Sequence, residues 1–144
     1  MKYFFYAFAV ALISMSCKKS HDDGGCERSI ATLTGSYSFI KFESKILGSY
    51  VDITPIALSD SCLRDDIITL YPDSTAKYFD LGLQCPTAQT NTVGTWSVHN
   101  GLMNIATGNI NIVDANVDYF NCTKLMLTYH STSPSADVRL TMTK

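Results

Sequence analysis

The sequence predicts an all-β domain, an antiparallel up-and-down meander of about eight short strands that closes into a barrel, with a β-sandwich as the alternative. Three observations predict it. Short runs of alternating apolar and polar residues follow one another with turn chemistry between them. No stretch after residue 26 carries a sustained 3.6-residue apolar repeat, which limits helix to a turn or two. The connections read as hairpins between neighbours, and ring closure is the cleanest way for such a meander to remove its exposed edges. A chain of 144 residues, 46% hydrophobic and 17% charged, fits one folded domain and excludes a disordered or collagen-like chain. A net charge of −2, with no basic block beyond Lys18-Lys19, lacks the electrostatic footprint of a nucleic-acid binder.

The chain opens with Met1-Lys2 and an apolar run from Tyr3 to Met15. That run is signal-peptide length, well short of the roughly 20 apolar residues that a membrane-spanning helix requires. It ends Leu12-Ile13-Ser14-Met15-Ser16-Cys17, which resembles a bacterial lipoprotein signal. The resemblance implies that residues 1–16 are removed and that Cys17 becomes an S-acylated first residue. Acyl chains would then hold the domain at a membrane of the bacterial cell envelope, with the outer membrane favoured. An ordinary secretory signal, with Cys17 incidental, is the alternative. Residues 17–32 read as a lipid-anchored tether and lead-in segment. Lys18 to Gly25 is polar, glycine-terminated and without periodicity. Residues 33–144 read as the barrel.

Within the barrel, Ser36 to Phe42 and Tyr50 to Ile53 are strand-like, and the adjacent apolar pair Phe39-Ile40 predicts a bulge or bend. Ile67–Tyr71 and Ala76–Leu81 read as a hairpin about the four-residue turn Pro72-Asp73-Ser74-Thr75. The expected register sets Tyr71 opposite Ala76. Asn100-Gly101 is a strong hairpin signal, since a type I′ turn needs positive φ at both central residues. It places Trp96 opposite Ile105 and Val98 opposite Met103 on one apolar face. Gly108-Asn109 reads as the next turn, followed by Ile110 and Ile112 in alternation. Leu125, Leu127 and Tyr129 form a further apolar face, and Val138, Leu140 and Met142 form the last.

Beyond Cys17 the chain has Cys26, Cys62, Cys85 and Cys122, an even number in a chain bound for an oxidising compartment. The Tyr71–Ala76 register carries Cys62 opposite Cys85, which pairs them, and leaves Cys26 with Cys122 by elimination. Free thiols are the alternative. Zinc is disfavoured because no Cys-x-x-Cys or Cys/His pair at ligand spacing exists.

Leu33-Thr34-Gly35-Ser36-Tyr37, the run Cys62-Leu63-Arg64-Asp65-Asp66, the turn at residues 72–75, Cys85, and Gly94-Thr95-Trp96 before Asn100-Gly101-Leu102 together resemble the small bacterial lipocalin-like lipoproteins. Tyr37 stands where the first-strand tryptophan is usual in that family. The resemblance spans residues 33–143. It implies an eight-stranded barrel, open at one end, that holds a small apolar ligand. Arg139 resembles the lipocalin arginine that packs against the first-strand aromatic, although strand parity puts Arg139 outside.

Little in the chain suggests catalysis, and the reading is that it is not an enzyme. His21, His99 and His130 fall in the tether, beside a turn and at a strand end, and no Gly-x-Ser-x-Gly elbow is present. Asp65-Asp66 reads as a pair of solvated acids at a strand start. No cofactor or metal is expected. The expected function is that of a membrane-anchored, lipocalin-like lipoprotein binding a small hydrophobic ligand. Its candidate lining residues are Tyr37, Phe79, Trp96, Val98, Met103, Ile105 and Leu127. An envelope lipoprotein with a filled barrel, serving a structural role or binding a protein partner, is the alternative. The aromatic set, which also includes Phe39, Phe42, Tyr50 and Tyr129, divides between core and cavity, with core favoured for most.

Overall fold

A computed structural model of the chain describes residues 25–59, 64–82, 91–132 and 134–144. Nine strands make up one antiparallel sheet: β1 Gly35–Ile46, β2 Ser49–Asp52, β3 Ile67–Leu70, β4 Thr75–Phe79, β5 Asn91–His99, β6 Leu102–Ala106, β7 Asn111–Phe120, β8 Lys124–Thr132 and β9 Ser135–Thr143. Neighbours in sequence are neighbours in space, and β1 also pairs with β9. The ring therefore closes on β1, β3 to β9 as eight strands, and β2 lies outside it against the far half of β1. The barrel expectation holds and the sandwich does not. Two one-turn helices, α1 Ile30–Leu33 and α2 Thr54–Ala57, complete the described elements.

Where turn chemistry is explicit, the structure follows the sequence. Asn100 and Gly101 take φ of 52° and 80°, the left-handed pair a type I′ turn requires. Trp96 consequently pairs with Ile105 and Val98 with Met103. Ile40 is the bulged residue of β1, since the β1–β9 register shifts between Phe39 and Lys41. Gly94 serves close approach: a Cβ there would meet the Ala106 carbonyl oxygen at 1.8 Å. β7 runs on to Phe120 through a bulge, with Asp114 at φ 49° donating its amide to Asn104 Oδ1.

The β3–β4 hairpin corrects the expected register by one residue. Tyr71 and Thr75 close the turn, Tyr71 N–H donating to the Thr75 carbonyl at 2.9 Å, and only Pro72, Asp73 and Ser74 form the loop. Ser74 takes φ 66°, the left-handed third position of a three-residue hairpin. Leu70 thus pairs with Ala76, and Ile68 with Tyr78. A one-residue slip moves every side chain to the other face. Tyr78 therefore points inward, and Phe79, expected inside, lies on the outer face, half-buried. The register that set Cys62 opposite Cys85 is displaced with it; those two cysteines lie outside the described residues.

One end of the barrel is packed solid. Leu33, Tyr37, Leu70, Trp96, Phe120 and Met142 are all buried there. The two large rings satisfy their polar tips on backbone carbonyls: Tyr37 Oη donates to Leu33 at 2.7 Å and Trp96 Nε1 to Tyr71 at 2.8 Å. Lys144 Nζ sits 5.4 Å from the Tyr37 ring centroid and donates to the Thr32 carbonyl at 2.7 Å, fixing α1 across this end. The cation on the first-strand aromatic is thus Lys144. Arg139 is on the outer face, as parity requires, with its guanidinium 3.8 Å from the Tyr50 ring centroid.

Cys26 and Cys122 form a disulfide with Cα atoms 5.6 Å apart, joining the lead-in segment to the β7–β8 turn at this packed end. It closes a loop of 96 residues in sequence separation. Replacing both cysteines by alanine is expected to lower the unfolding free energy by about 3 to 5 kcal/mol, read from urea midpoints. Peptide mapping of the unreduced protein should recover the linked Cys26–Cys122 peptide.

Candidate functional site

The other end of the barrel is not filled. A cavity of about 240 Å³ opens there inside the ring. Phe39 and Phe42 of β1, Tyr78 of β4, Ile112 of β7, Tyr129 of β8 and Leu140 of β9 form its wall. Ala57 and Leu58, at the end of α2, and Asn109 and Ile110, in the β6–β7 turn, form its rim. The bulge at Ile40 lets two aromatic residues three apart on one strand both face inward, and their ring centroids lie 5.9 Å apart. α2 is held over β1 by Thr54 Oγ1, which accepts from Phe42 N–H at 2.9 Å, and by Ile53 N–H, which donates to the Phe42 carbonyl at 2.9 Å. Behind Phe39 and Leu58 a second recess of about 330 Å³ reaches Ile40, Pro55 and Arg64.

The residues singled out from the sequence fall elsewhere. Tyr37, Trp96, Met103, Ile105 and Leu127 are buried in the packed core, Val98 is half-buried against it, and Phe79 is outside. None of them is among the described residues of the cavity wall. Strand parity gives the observed face for each of them except Phe79, and it says nothing about which end of the barrel is filled. Of the wider aromatic set, Phe39, Phe42 and Tyr129 line the cavity. Tyr78 was missed through the one-residue slip. Cys17 lies outside the described residues.

Polar chemistry gathers next to the cavity, around the Tyr78 hydroxyl. Asp66, expected to be solvated, is 1% exposed, and Asp80 is 8% exposed. They sit one step beyond the last β3–β4 pair, Ile67 with Phe79, and so oppose each other. The Tyr78 hydroxyl donates to Asp66 Oδ2. Asp66 Oδ1 and both carboxylate oxygens of Asp80 have no hydrogen-bond partner among the described residues. Burial holds the Asp66 carboxyl above its ordinary range; the Tyr78 hydroxyl draws it back, and the Asp80 charge adds to the rise. Burial also raises the Tyr78 and Tyr129 hydroxyls, which stay protonated as donors.

A second constellation occupies the outer face of the β8–β9 hairpin. His130 Nδ1 lies 3.0 Å from Asp137 Oδ1, and His130 Nε2 lies 3.3 Å from Ser135 Oγ. The order is that of nucleophile, base and orienting acid. Both His130 and Asp137 are exposed, at 59% and 44%, and Lys45 Nζ stands 3.6 Å from the same Asp137 carboxylate. In water these contacts act as cross-strand pairs of the hairpin, without the desolvation that makes such a chain reactive. No His/Cys/Asp/Glu group able to hold a metal ion occurs among the described residues.

No family model, no curated protein and no solved structure matches this chain.

The raised Asp66 carboxyl fixes the sign of a pH effect. Below about pH 3.9, the ordinary carboxylate value, Asp66 is protonated in both folded and unfolded chains and its burial costs no ionisation energy. As pH rises through that value the unfolded chain ionises first, and the folded state loses relative stability until the raised folded pKa is passed. Asp66→Asn is therefore expected to stabilise the domain at pH 7 more than at pH 3, measured by urea midpoints at both pH values.

Proposed function

We propose that this protein is a lipocalin-like binding protein that takes a small apolar molecule into the open end of its barrel and is tethered to an envelope membrane through an acylated Cys17. The observation that carries the reading is the cavity itself, a space of about 240 Å³ inside the barrel walled by Phe39, Phe42, Tyr78, Ile112 and Leu140. A void lined by such side chains forgoes packing that the other end of the same barrel achieves. Roughly 150 Å³ is enough to admit benzene. A space of about 240 Å³ accommodates a larger apolar body, such as a short acyl chain or a bicyclic ring. The role is binding rather than catalysis, since the apolar wall offers burial and the aligned Ser135, His130 and Asp137 stand in solvent.

The lipid anchor rests on the sequence from Tyr3 to Cys17. Cys26 is bonded to Cys122 at the packed end, so the tether joins the barrel there and the mouth opens at the opposite end.

Binding is expected to come from buried apolar area, about 0.8 kcal/mol per buried methylene, less the cost of association. Calorimetric titration with octanol should give saturable heat and a negative heat-capacity change. Ile110→Trp, which fills the rim, should weaken octanol at least about tenfold, or about 1.4 kcal/mol, with the circular dichroism spectrum unchanged. Absence of any octanol binding would leave the filled-barrel, partner-binding lipoprotein as the better account. Trp96 is buried in the packed end and is not among the cavity wall, so its emission is a poor reporter of this site.

The anchor has its own test. Cys17→Ser is expected to move the protein out of the membrane fraction or to leave the precursor uncleaved. An unchanged membrane fraction would reject lipidation at Cys17.

A further inference from the structure

We propose that the cavity selects cationic amphiphiles, with the apolar body of the ligand held against Phe39, Phe42 and Tyr78 and its ammonium or amidinium group received by Asp66 and Asp80. This rests on the reading of the open end as a ligand site and names the chemical class that the site prefers.

Two carboxylates face each other one step outward from the Ile68–Tyr78 layer, beside the cavity and not in its wall. Both are more than nine-tenths buried, and three of their four oxygens are unpartnered among the described residues. A buried acceptor left without a donor bears its full desolvation cost, and more when it carries charge. A domain keeps such groups where something else supplies the missing donors. The fourth oxygen takes the Tyr78 hydroxyl, and Tyr78 is itself a wall residue, so the carboxylate pair adjoins the cavity through one ring. Arg64, on the second recess, donates its Nε to the Leu58 carbonyl at 3.2 Å.

The unmet need is therefore for positive charge carrying several N–H donors, beside an apolar hole. An anionic head group such as a fatty acid carboxylate would meet two like charges there and is disfavoured. A neutral alcohol could bond with one oxygen only. An alkylammonium brings three donors and a full charge to carboxylates that are themselves buried, and charge-assisted hydrogen bonds are about twice as strong as neutral ones. Aromatic walls also favour a cation at their faces.

The test compares three probes with one eight-carbon chain: octylamine, octanol and octanoate, titrated into the mature domain at pH 7.4. Octylammonium is expected to bind at least about tenfold tighter than octanol, and octanoate weaker than both. In Asp80→Asn the ratio between octylammonium and octanol should fall to within about twofold. The comparison on the unaltered protein does not depend on the variant's folding. Equal binding of all three probes would overturn the charge preference and leave the apolar carrier standing. Binding of none would overturn both. A tenfold preference that persists in both Asp80→Asn and Asp66→Asn would place the cation elsewhere and reject these two carboxylates as its site.

Discussion

Closure of the ring through β1 and β9 governs the rest of this structure. β1 is shared by three partners: β3 along its first residues, β9 through its middle, and β2 at its far end. A strand that long cannot stay straight and still bend round a small barrel, and the bulge at Ile40 supplies the bend. The same bulge resets side-chain parity. Tyr37 and Phe39 face inward by simple alternation, and the extra residue turns Phe42 inward as well. Without it, the β-strand alternation after Phe39 would aim Lys41 and Glu43 at the interior. Closure and the aromatic wall of the cavity therefore come from one local irregularity.

The two ends of the barrel solve different problems. At the packed end the large rings fill the interior and place their polar tips on backbone carbonyls, while the Cys26–Cys122 disulfide and the Lys144 ammonium tie the lead-in segment down. At the open end the wall is equally aromatic, but the strands of β3 and β4 are short, and α2 reaches only part of the way over the mouth. Apolar area buried at one end offsets the packing forgone at the other. The Tyr37 hydroxyl, pushed up by burial and fixed on Leu33, acts as a neutral donor in that plug.

The sequence was legible wherever a turn dictates its own register. Asn100-Gly101 permits one geometry, so the pairing from Thr95–Ala106 to His99–Leu102 could be written down from the residues. Phe39-Ile40 broke alternation visibly and marked its bulge. Pro72-Asp73-Ser74-Thr75 allows either a four-residue loop or a three-residue loop with a left-handed third residue. Ser74 at φ 66° decided for the second in a way composition does not announce, since serine is no glycine. That single residue moved Tyr78 into the wall and Phe79 out of it. The continuation of β7 past Ile112 was hidden for a similar reason: bulges at Asp114 and near Asp118 break the alternation. The emptiness of one end lies beyond parity altogether, because it depends on how far side chains from opposite strands reach across the ring.

Asp66 shows why the mouth resists reading as mere packing. An adjacent pair of acids before a strand is ordinarily solvated surface, and Asp65 with Asp66 fits that description in sequence. In the fold, alternation sends Asp66 inward above Ile68, opposite Asp80, with Tyr78 beneath it. Asparagine, threonine or leucine at these positions would close the layer with less desolvation and without mutual repulsion between like charges. Two buried acids are the costlier solution for a barrel whose only task is to fold. Stability given up at a site is commonly linked to what the site does. Here the two costs, an unfilled apolar space and a carboxylate pair with three oxygens unpartnered among the described residues, fall within one side chain of each other, at Tyr78. A ligand with an apolar body and a cationic head relieves both at once, whereas a purely apolar one relieves only the first.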